Sequence, residues 1–182
     1  MVSLKFLTLV RYSWFFSMWY LIWISILNIS LQIWNLTIVL IGNLGLAKEL
    51  RDDERLDDDL YKMTGCTGSI RYMSPENLQG KPYNLSTDVY SWAMIMWNIL
   101  ALEPPFVMYT ESMIIDRVCN RGYRPKLFVT WSSRMSTIIG RSWSENKKDR
   151  PSFAEISIEL RIELNEIIAA KETGTWMTRG SC

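Results

Sequence analysis

The stretch that decides the fold reads TGSIRYMSPE and occupies residues 67–76. It is followed after a short gap by DVYSW at residues 88–92. Proline is favoured in the first turn of a helix, so the first stretch predicts a loop that enters a short helix over residues 75–79. The second stretch lies near the start of a longer apolar segment, which predicts a central helix.

This apolar segment predicts a buried helix over residues 87–102. Ser86 is expected to cap the helix, and Pro104 and Pro105 are expected to terminate it. Residues 92–100 read WAMIMWNIL, so apolar side chains cover nearly every face. A soluble helix that is apolar on all sides belongs in the centre of a bundle.

Three further helices are predicted downstream. Residues 110–119 form the first, with Thr110 as its expected cap, and residues 128–140 form the second. The third begins after Pro151 and is amphipathic, because apolar residues recur at spacings of three and four between glutamates. The apolar positions are Phe153, Ile156, Leu160, Leu164 and Ile167, and the glutamates are Glu155, Glu159, Glu163 and Glu166.

The composition excludes several kinds of site. The chain has 182 residues, enough for one domain, and its net charge of +1 gives no general reason to expect a nucleic-acid partner. It has no histidine, which excludes Ser-His-Asp chemistry, Cys-His chemistry and histidine-ligated metals. The cysteines, Cys66, Cys119 and Cys182, are far apart and lack metal-site spacing. We therefore predict no metal site and a reduced, intracellular protein.

Charge is unevenly distributed along the chain. Residues 48–59 contain seven acids and three bases, and the acidic segment at residues 49–59 predicts a mobile loop. Residues 117–150 contain nine bases and two acids. Solvated surfaces explain both biases most simply. The basic stretch is also a candidate partner surface, with Arg121 and Arg124 as the residues to test.

The N-terminal part differs from the rest. Residues 12–47 contain no charged side chain and are rich in aromatic residues, and they are long enough to form a membrane helix. Lys5 and Arg11 precede the run, as basic residues do on the cytoplasmic side of a membrane. Membrane contact is therefore possible through residues 12–41.

Two other interpretations of the N-terminal part stay open. Polar serine, asparagine and glutamine residues interrupt the run, which suits a buried helix followed by a hairpin with strands at residues 30–34 and 37–41. A truncated or misread gene would also explain the change in composition. Residues 1–36 are therefore a separate apolar segment of open nature.

Four short motifs stand in the order found in protein kinases. NLG at residues 43–45 stands where that family has D-F-G, and MSPE at residues 73–76 stands in place of A-P-E. DVYSW at residues 88–92 resembles the start of the family's central helix. Trp143 followed by RPSF at residues 150–153 matches a W…R-P-S-F pattern. Together they resemble the tyrosine-kinase-like serine/threonine group of the eukaryotic protein kinases.

The resemblance implies a fold. It implies a mainly α-helical domain, the large C-terminal lobe of a protein kinase with a short β-hairpin and without the small lobe. Neither a glycine-rich phosphate loop nor a lysine of the V-A-I-K type is found in the sequence. The kinase-like lobe is expected over residues 37–170, and residues 171–182 are expected to be a disordered tail.

The resemblance also implies structural roles for three charged residues. Glu76 is expected to pair with Arg150, because the family's A-P-E glutamate pairs with a distant arginine. A carboxylate and a guanidinium form a two-pronged, charge-assisted contact that can fasten a loop to a helical core. Asp88 stands where the family binds backbone amides of the catalytic loop, although an aspartate at a helix start can also act as a cap.

Three hydroxyl residues fall in the region that resembles the activation segment. Ser69 stands where these kinases carry a residue that contacts the catalytic loop and lines the site for the substrate hydroxyl. Thr64 and Thr67 resemble activation-loop phosphorylation sites, and a phosphate there would add charge near Arg71. Ordinary loop hydroxyls are the alternative.

ATP and Mg²⁺ are the cofactors that the resemblance implies, and the sequence departs from the family where they bind. Asn43 offers a neutral amide where the D-F-G aspartate supplies a carboxylate to Mg²⁺, although Gly45 is retained. Residues 21–28 can be laid over the catalytic loop, but Trp23 then stands at the base position. No catalytic residue is identifiable, so the chain alone is expected to bind neither cofactor.

These observations predict a serine/threonine kinase-like domain that does not phosphorylate proteins by itself. The alternative is a pseudokinase-type module that binds a protein partner. A protein substrate or partner is expected, and nucleic acid is not. The expected location is cytoplasmic, or else membrane-anchored with the kinase-like lobe in the cytosol.

Overall fold

A computed structural model of the chain describes residues 50–56, 59–62 and 68–173. Within these ranges the fold is mainly α-helical, as predicted. The helices are α1 (Pro75–Leu78), α2 (Ser86–Ala101), α3 (Glu111–Ile115), α4 (Ser133–Ser142) and α5 (Phe153–Glu172). Single 3₁₀ turns lie at Asp52–Glu54, Ile70–Tyr72 and Lys147–Asp149, and a π-helical turn, Asp116–Asn120, continues α3.

The core is built around α2. Tyr90, Ala93 and Met94 are completely buried on this helix, and Trp97 donates a hydrogen bond from its indole nitrogen to the Lys126 carbonyl at 2.9 Å. The other elements pack their apolar side chains around it, and the most deeply buried of them are Ile114, Val118, Ile138, Ile139, Trp143 and Ile156. The predicted central position of the Trp/Met-rich helix is therefore confirmed.

Both ends of α2 differ slightly from the prediction. Ser86 is the first residue of the helix rather than its cap, because its amide and its hydroxyl both donate to Asn84 Oδ1, at 3.1 and 2.6 Å. The helix ends at Ala101, and Leu102 takes a left-handed backbone conformation with φ of 57°. Asn84 therefore supplies the polar contact that the sequence analysis assigned to Ser86.

The predicted helix over residues 128–140 is wrong at its start. Helix α4 begins at Ser133, and Ser132 caps it by accepting a hydrogen bond from the Met135 amide at 3.1 Å. Phe128 and Trp131 instead form a turn, in which the Trp131 amide donates to the Phe128 carbonyl at 3.1 Å. Their rings contact each other, so packing explains an apolar run that looked helical.

Helices α3 and α5 begin as predicted. Thr110 caps α3 by accepting a hydrogen bond from the Met113 amide. Ser152 and Glu155 form a capping box at the start of α5, each accepting from the other's backbone amide. Ile156 is buried against the core, whereas Leu164 is 54% exposed, so the predicted apolar face of α5 is covered only in its first half.

The acidic segment has more local structure than a loop. Asp52–Glu54 forms a 3₁₀ turn, and isolated antiparallel bridges join Arg55 to Tyr61 and Tyr61 to Tyr83. The hairpin and the N-terminal apolar segment that the sequence predicts lie outside the described residues. The predicted disordered tail starts too early, because residues 171 and 172 still belong to α5, and residues 174–182 lie outside the described residues. No helix in the described ranges is long and apolar enough to span a bilayer.

Candidate functional site

Glu76 and Arg150 form a buried, two-pronged ion pair, which we call the clasp. Arg150 Nη1 lies 2.6 Å from Glu76 Oε1, and Nη2 lies 3.0 Å from Oε2. The remaining donors of Arg150 reach the carbonyls of Ser86 and Ser144, at 3.1 and 2.9 Å. Thr87 Oγ1 donates to Glu76 Oε1 at 2.9 Å. The clasp therefore joins α1, α2 and the turn before α5, and the predicted pairing is present.

Electrostatics favour the charged form of the acid in the clasp. Burial alone raises the pKa of the Glu76 carboxyl. The hydrogen bonds and the positive charge of Arg150 outweigh burial, so the pKa is held below its ordinary value. Glu76 is accordingly an ionised carboxylate at neutral pH, as a bidentate arginine contact requires.

The Tyr90 ring contacts two guanidinium groups, one of which belongs to the clasp. The guanidinium carbons of Arg150 and Arg124 lie 5.2 and 5.1 Å from the centre of its ring. Both distances are within the range of cation–π attraction. Burial raises the pKa of the Tyr90 phenol to about 12, so the ring stays neutral at neutral pH.

A cleft of about 250 Å³ opens beside Ser69. Its lining residues come from the segment before α1 and from the region of α3, and they are Gly68, Ser69, Ile70, Arg71, Tyr109, Glu111 and Ile114. The Ser69 carbonyl accepts a hydrogen bond from the Tyr72 amide at 3.1 Å, which starts the 3₁₀ turn behind the cleft. The cleft therefore has an ordered wall on the side of Ser69.

Arg71 anchors the neighbouring loop, residues 102–109, and sequence reasoning missed this role. Its guanidinium donates to the Pro105 carbonyl at 3.0 Å, to the Phe106 carbonyl and to the Tyr109 carbonyl at 3.4 Å. Its position in the sequence could have indicated the role, because Arg71 is the only charged residue between residues 63 and 75. An arginine isolated in an uncharged stretch indicates a partner within the fold.

The roles of the remaining predicted site residues depend on segments outside the described residues. Asp88 is buried in the first turn of α2, and the segment that it would hold in a kinase lies outside the described residues. The same is true of Asn43, Gly45, Thr64 and Thr67 themselves. Their functional roles stay predictions.

The arginines of the basic stretch contact other groups of the protein. Arg124 donates to the carbonyls of Trp143, Val118 and Tyr123, and it also contacts the Tyr90 ring, so it has an internal structural role. The other arginines there also contact protein groups. Arg117 contacts Tyr109, Arg121 pairs with Asp116, Arg134 with Glu159, Arg141 with Glu155, and Arg150 with Glu76. Arg124 is used within the lobe, whereas Arg121 is exposed in a surface pair with Asp116. The partner surface suggested at these two residues stays a prediction.

The described residues also bear on cofactor binding. Within them, no three cysteine, aspartate or glutamate side chains gather into a group that could hold a metal ion. The positions that the sequence aligns with the Mg²⁺ ligands of kinases lie outside the described residues.

Comparison with known proteins decides the family. A family model described as protein tyrosine and serine/threonine kinase matches residues 28–160. The chain belongs to the protein kinase family. In kinase terms, the clasp fastens the end of the activation segment to the helical core, and α2 is the central helix of the large lobe.

Individual protein kinases also match this chain. Dual specificity protein kinase shkB of Dictyostelium discoideum is 30% identical over 146 residues, which cover 76% of this chain and 22% of that protein. Serine/threonine-protein kinase VIK of Arabidopsis thaliana is 36% identical over 121 residues, covering 64% of this chain and 26% of that protein. Mitogen-activated protein kinase kinase kinase 7 of Drosophila melanogaster is 30% identical over 118 residues, which cover 65% of this chain and 17% of that protein. This chain spans about a quarter or less of the length of these relatives, and the resemblance to the tyrosine-kinase-like group is confirmed.

Proposed function

We propose that this chain is a serine/threonine kinase-family lobe that binds a protein segment in the cleft beside Ser69 and does not transfer phosphate by itself. The observation that carries the proposal is the ordered cleft itself. Gly68, Ser69, Ile70 and Arg71 form one side of it, and the clasp at Glu76 fastens the end of this segment to the core.

The size of the cleft favours a protein segment over a nucleotide. Pockets that enclose whole small molecules have volumes of about 300–1,000 Å³. The cleft has a volume of about 250 Å³ and is lined by both polar and apolar residues, among them Ser69 and Ile114. Such a space suits one or two side chains of an extended chain lying across the lobe.

The sequence supports the absence of phosphoryl transfer. Phosphoryl transfer in kinases depends on positioning and on Mg²⁺ that neutralises charge on the phosphates. Asn43 stands at the position of the carboxylate that would bind this ion, and Trp23 stands at the position of the base. An indole accepts no proton, so this chain has no group at that position to orient a substrate hydroxyl.

Two measurements on the purified full chain test the proposal. In a fluorescence polarisation assay, labelled peptides that contain serine or threonine are titrated in solution with the chain. Some of these peptides should show saturable binding. Incubation of the same peptides with MgATP should yield no phosphopeptide, and MgATP should not raise the melting temperature. Asn43→Asp should not restore transfer, because the base position is still occupied by Trp23. Phosphopeptide formed by the unaltered chain, or the absence of any peptide binding, would overturn the proposal.

A membrane-tethered version of the same lobe is a second candidate. It is favoured by the uncharged, aromatic-rich run at residues 12–47, with Lys5 and Arg11 before it. In this version the predicted reduced state of the cysteines fits a lobe in the cytosol. Carbonate extraction of membranes from cells that express the full chain tests it. Retention in the pellet is expected for a tethered lobe, and release into the supernatant would contradict it.

A further inference from the structure

Helix α5 carries a second stripe of mostly apolar residues on the side that faces away from the core. The stripe has four members at spacings of four, three and four, and we call it the outer stripe: Ile158, Ile162, Asn165 and Ala169. In a helix with 3.6 residues per turn, these positions lie opposite Ile156 and Leu160, which pack against the core. Ile158 is 60% exposed and Ile162 is 38% exposed, so the part of the lobe that the structure describes leaves the stripe open.

The spacing of the outer stripe is that of a helix–helix interface. Apolar residues that alternate at steps of four and three form a narrow seam along a helix, and two such seams pack against each other in a coiled coil. A surface helix that packs only on its own domain needs a single apolar face. The outer stripe therefore indicates a second helix. Because α5 is already folded on the lobe, little conformational entropy is lost when that helix binds.

One edge of the outer stripe is acidic. Glu159 and Glu166 lie along it, and both pair with Arg134 of α4, at 2.8 and 2.7 Å. Glu163 lies 3.6 Å from the same guanidinium. One positive and three negative groups leave this cluster with a net charge of minus two at neutral pH. A further cation is therefore attracted to this edge.

The other edge of the outer stripe carries Arg161. Its side chain is exposed and makes no hydrogen bond or ion pair with any residue that the structure describes. In a parallel, in-register pair of α5 helices, Arg161 of one copy faces Glu166 of the second copy, because flanking positions five residues apart meet across such a pair. An antiparallel pair would instead place the two acidic edges against each other. Charge complementarity therefore favours a second, parallel copy of this chain.

Asn165 favours the same arrangement. In a parallel, in-register pair, each residue of the outer stripe meets its own counterpart, so the two Asn165 amides meet. An amide has both donors and an acceptor, and two of them can therefore bond to each other. An antiparallel pair centred on the stripe would place Asn165 against Ile162, where the amide has no polar partner. A single polar residue in an apolar seam is a known means of fixing register.

We propose that two copies of this chain associate through the outer stripe, with their α5 helices parallel and in register. The stripe is about 17 Å long from Ile158 to Ala169, because an α-helix rises about 1.5 Å per residue. So short an interface forms a weak dimer, whose population depends on the protein concentration. The dimer is independent of the proposed function, because the cleft beside Ser69 lies on other elements of the lobe.

Sedimentation velocity of the purified full chain tests the apolar part of the proposal. The unaltered chain should shift from monomer to dimer as its concentration rises. Ile158→Ser should raise the dissociation constant by about tenfold or more, because each dimer loses two buried isoleucines. Leu164→Ser is the matched control, because Leu164 is 54% exposed on the same helix but lies outside the outer stripe. Its dissociation constant should equal that of the unaltered chain.

Charge reversal tests the orientation of the two helices. Arg161→Glu and Glu166→Arg should each raise the dissociation constant by about tenfold or more, because like charges then face each other across the interface. An equimolar mixture of the two variants should dimerise like the unaltered chain, because the reversed charges complement each other in the mixed dimer. Each variant is first checked for an unchanged melting temperature. The proposal is overturned by a chain that stays monomeric at every concentration, by a dimer that Ile158→Ser leaves unaffected, or by a mixture that dissociates like the single variants.

Discussion

The guanidinium carbon of Arg150 lies 5.2 Å from the centre of the Tyr90 ring while the same group binds Glu76 through two hydrogen bonds. The base of the clasp therefore rests on the central helix and is not held by its acid alone. Removing one partner of a buried ion pair is strongly destabilising, because the remaining charge stays buried without water or a counter-charge. The first predictions follow from this geometry.

Removing the acid of the clasp should destabilise the lobe severely. Glu76→Ala leaves the Arg150 charge buried without its carboxylate, and we expect the free energy of unfolding to fall by about 3–5 kcal/mol. Urea denaturation followed by circular dichroism measures this change in the free energy of unfolding. The control is Glu159→Ala, which removes one of several exposed partners of Arg134 and should cost much less. Equal losses in the two variants would contradict the structural importance of the clasp.

The clasp should also make stability depend on pH in the acidic range. Because the folded-state pKa of Glu76 is lowered, the unfolded chain takes up the proton first. The stabilisation is present above the ordinary glutamate pKa and is lost as the pH falls through the lowered value. Between about pH 5 and pH 3, the unaltered chain should lose more unfolding free energy than Glu76→Gln, which has no such proton to bind. Parallel curves for the two proteins would exclude this linkage.

Two substitutions at Tyr90 should separate the contribution of its ring to stability from that of its hydroxyl. The hydroxyl is buried and has no hydrogen-bond partner among the described residues, whereas the ring contacts two guanidinium groups. Tyr90→Phe should keep the stability or raise it by up to about 1 kcal/mol, because a buried unpaired hydroxyl is unfavourable. Tyr90→Leu should lower it by about 1–3 kcal/mol through lost ring contacts. Thermal unfolding of both variants measures the difference, and a Phe variant as damaged as the Leu variant would refute this division.

Arg71 is expected to control the order of the 102–109 loop. A lysine has one compact ammonium group and cannot span three carbonyls as the guanidinium does. Arg71→Lys should raise amide hydrogen exchange in the loop by about tenfold and lower peptide binding, with a global loss of about 1 kcal/mol. Exchange followed by mass spectrometry measures it. Arg121→Lys, in an exposed pair with Asp116, is the control, and loop exchange that does not differ between the two variants would disprove the anchoring role.

The clasp could be predicted because the family resemblance pairs its acid with a distant arginine, and the neighbours of both residues identify the two positions. Glu76 follows a proline at a helix start, and Arg150 precedes another proline and a serine that caps a helix. Helix caps such as Thr110 depend on neighbouring residues, which a sequence displays directly. Long-range pairing was accessible here only because the family resemblance supplied the partner.

Contacts to backbone carbonyls could not be predicted in the same way. Arg71 and Arg124 bind carbonyls of distant residues, and the direction of a carbonyl is set by the folded backbone and not by the residue type. The start of α4 was misplaced for a related reason. Phe128 packs on Trp97 with ring centres 6.3 Å apart, so tertiary packing overrides the local pattern at that position.

The two members of the clasp are 74 positions apart, and this separation has a consequence for how the chain folds. On the ribosome, Glu76 emerges long before Arg150, so the carboxylate stays hydrated until most of the lobe has been synthesised. Contacts between such distant residues close late, after loop entropy has been lost. Glu76→Gln should therefore accelerate unfolding more than it slows refolding, as the two arms of a chevron plot would reveal. The ion pair then acts as a latch on the finished lobe and has little part in nucleating it.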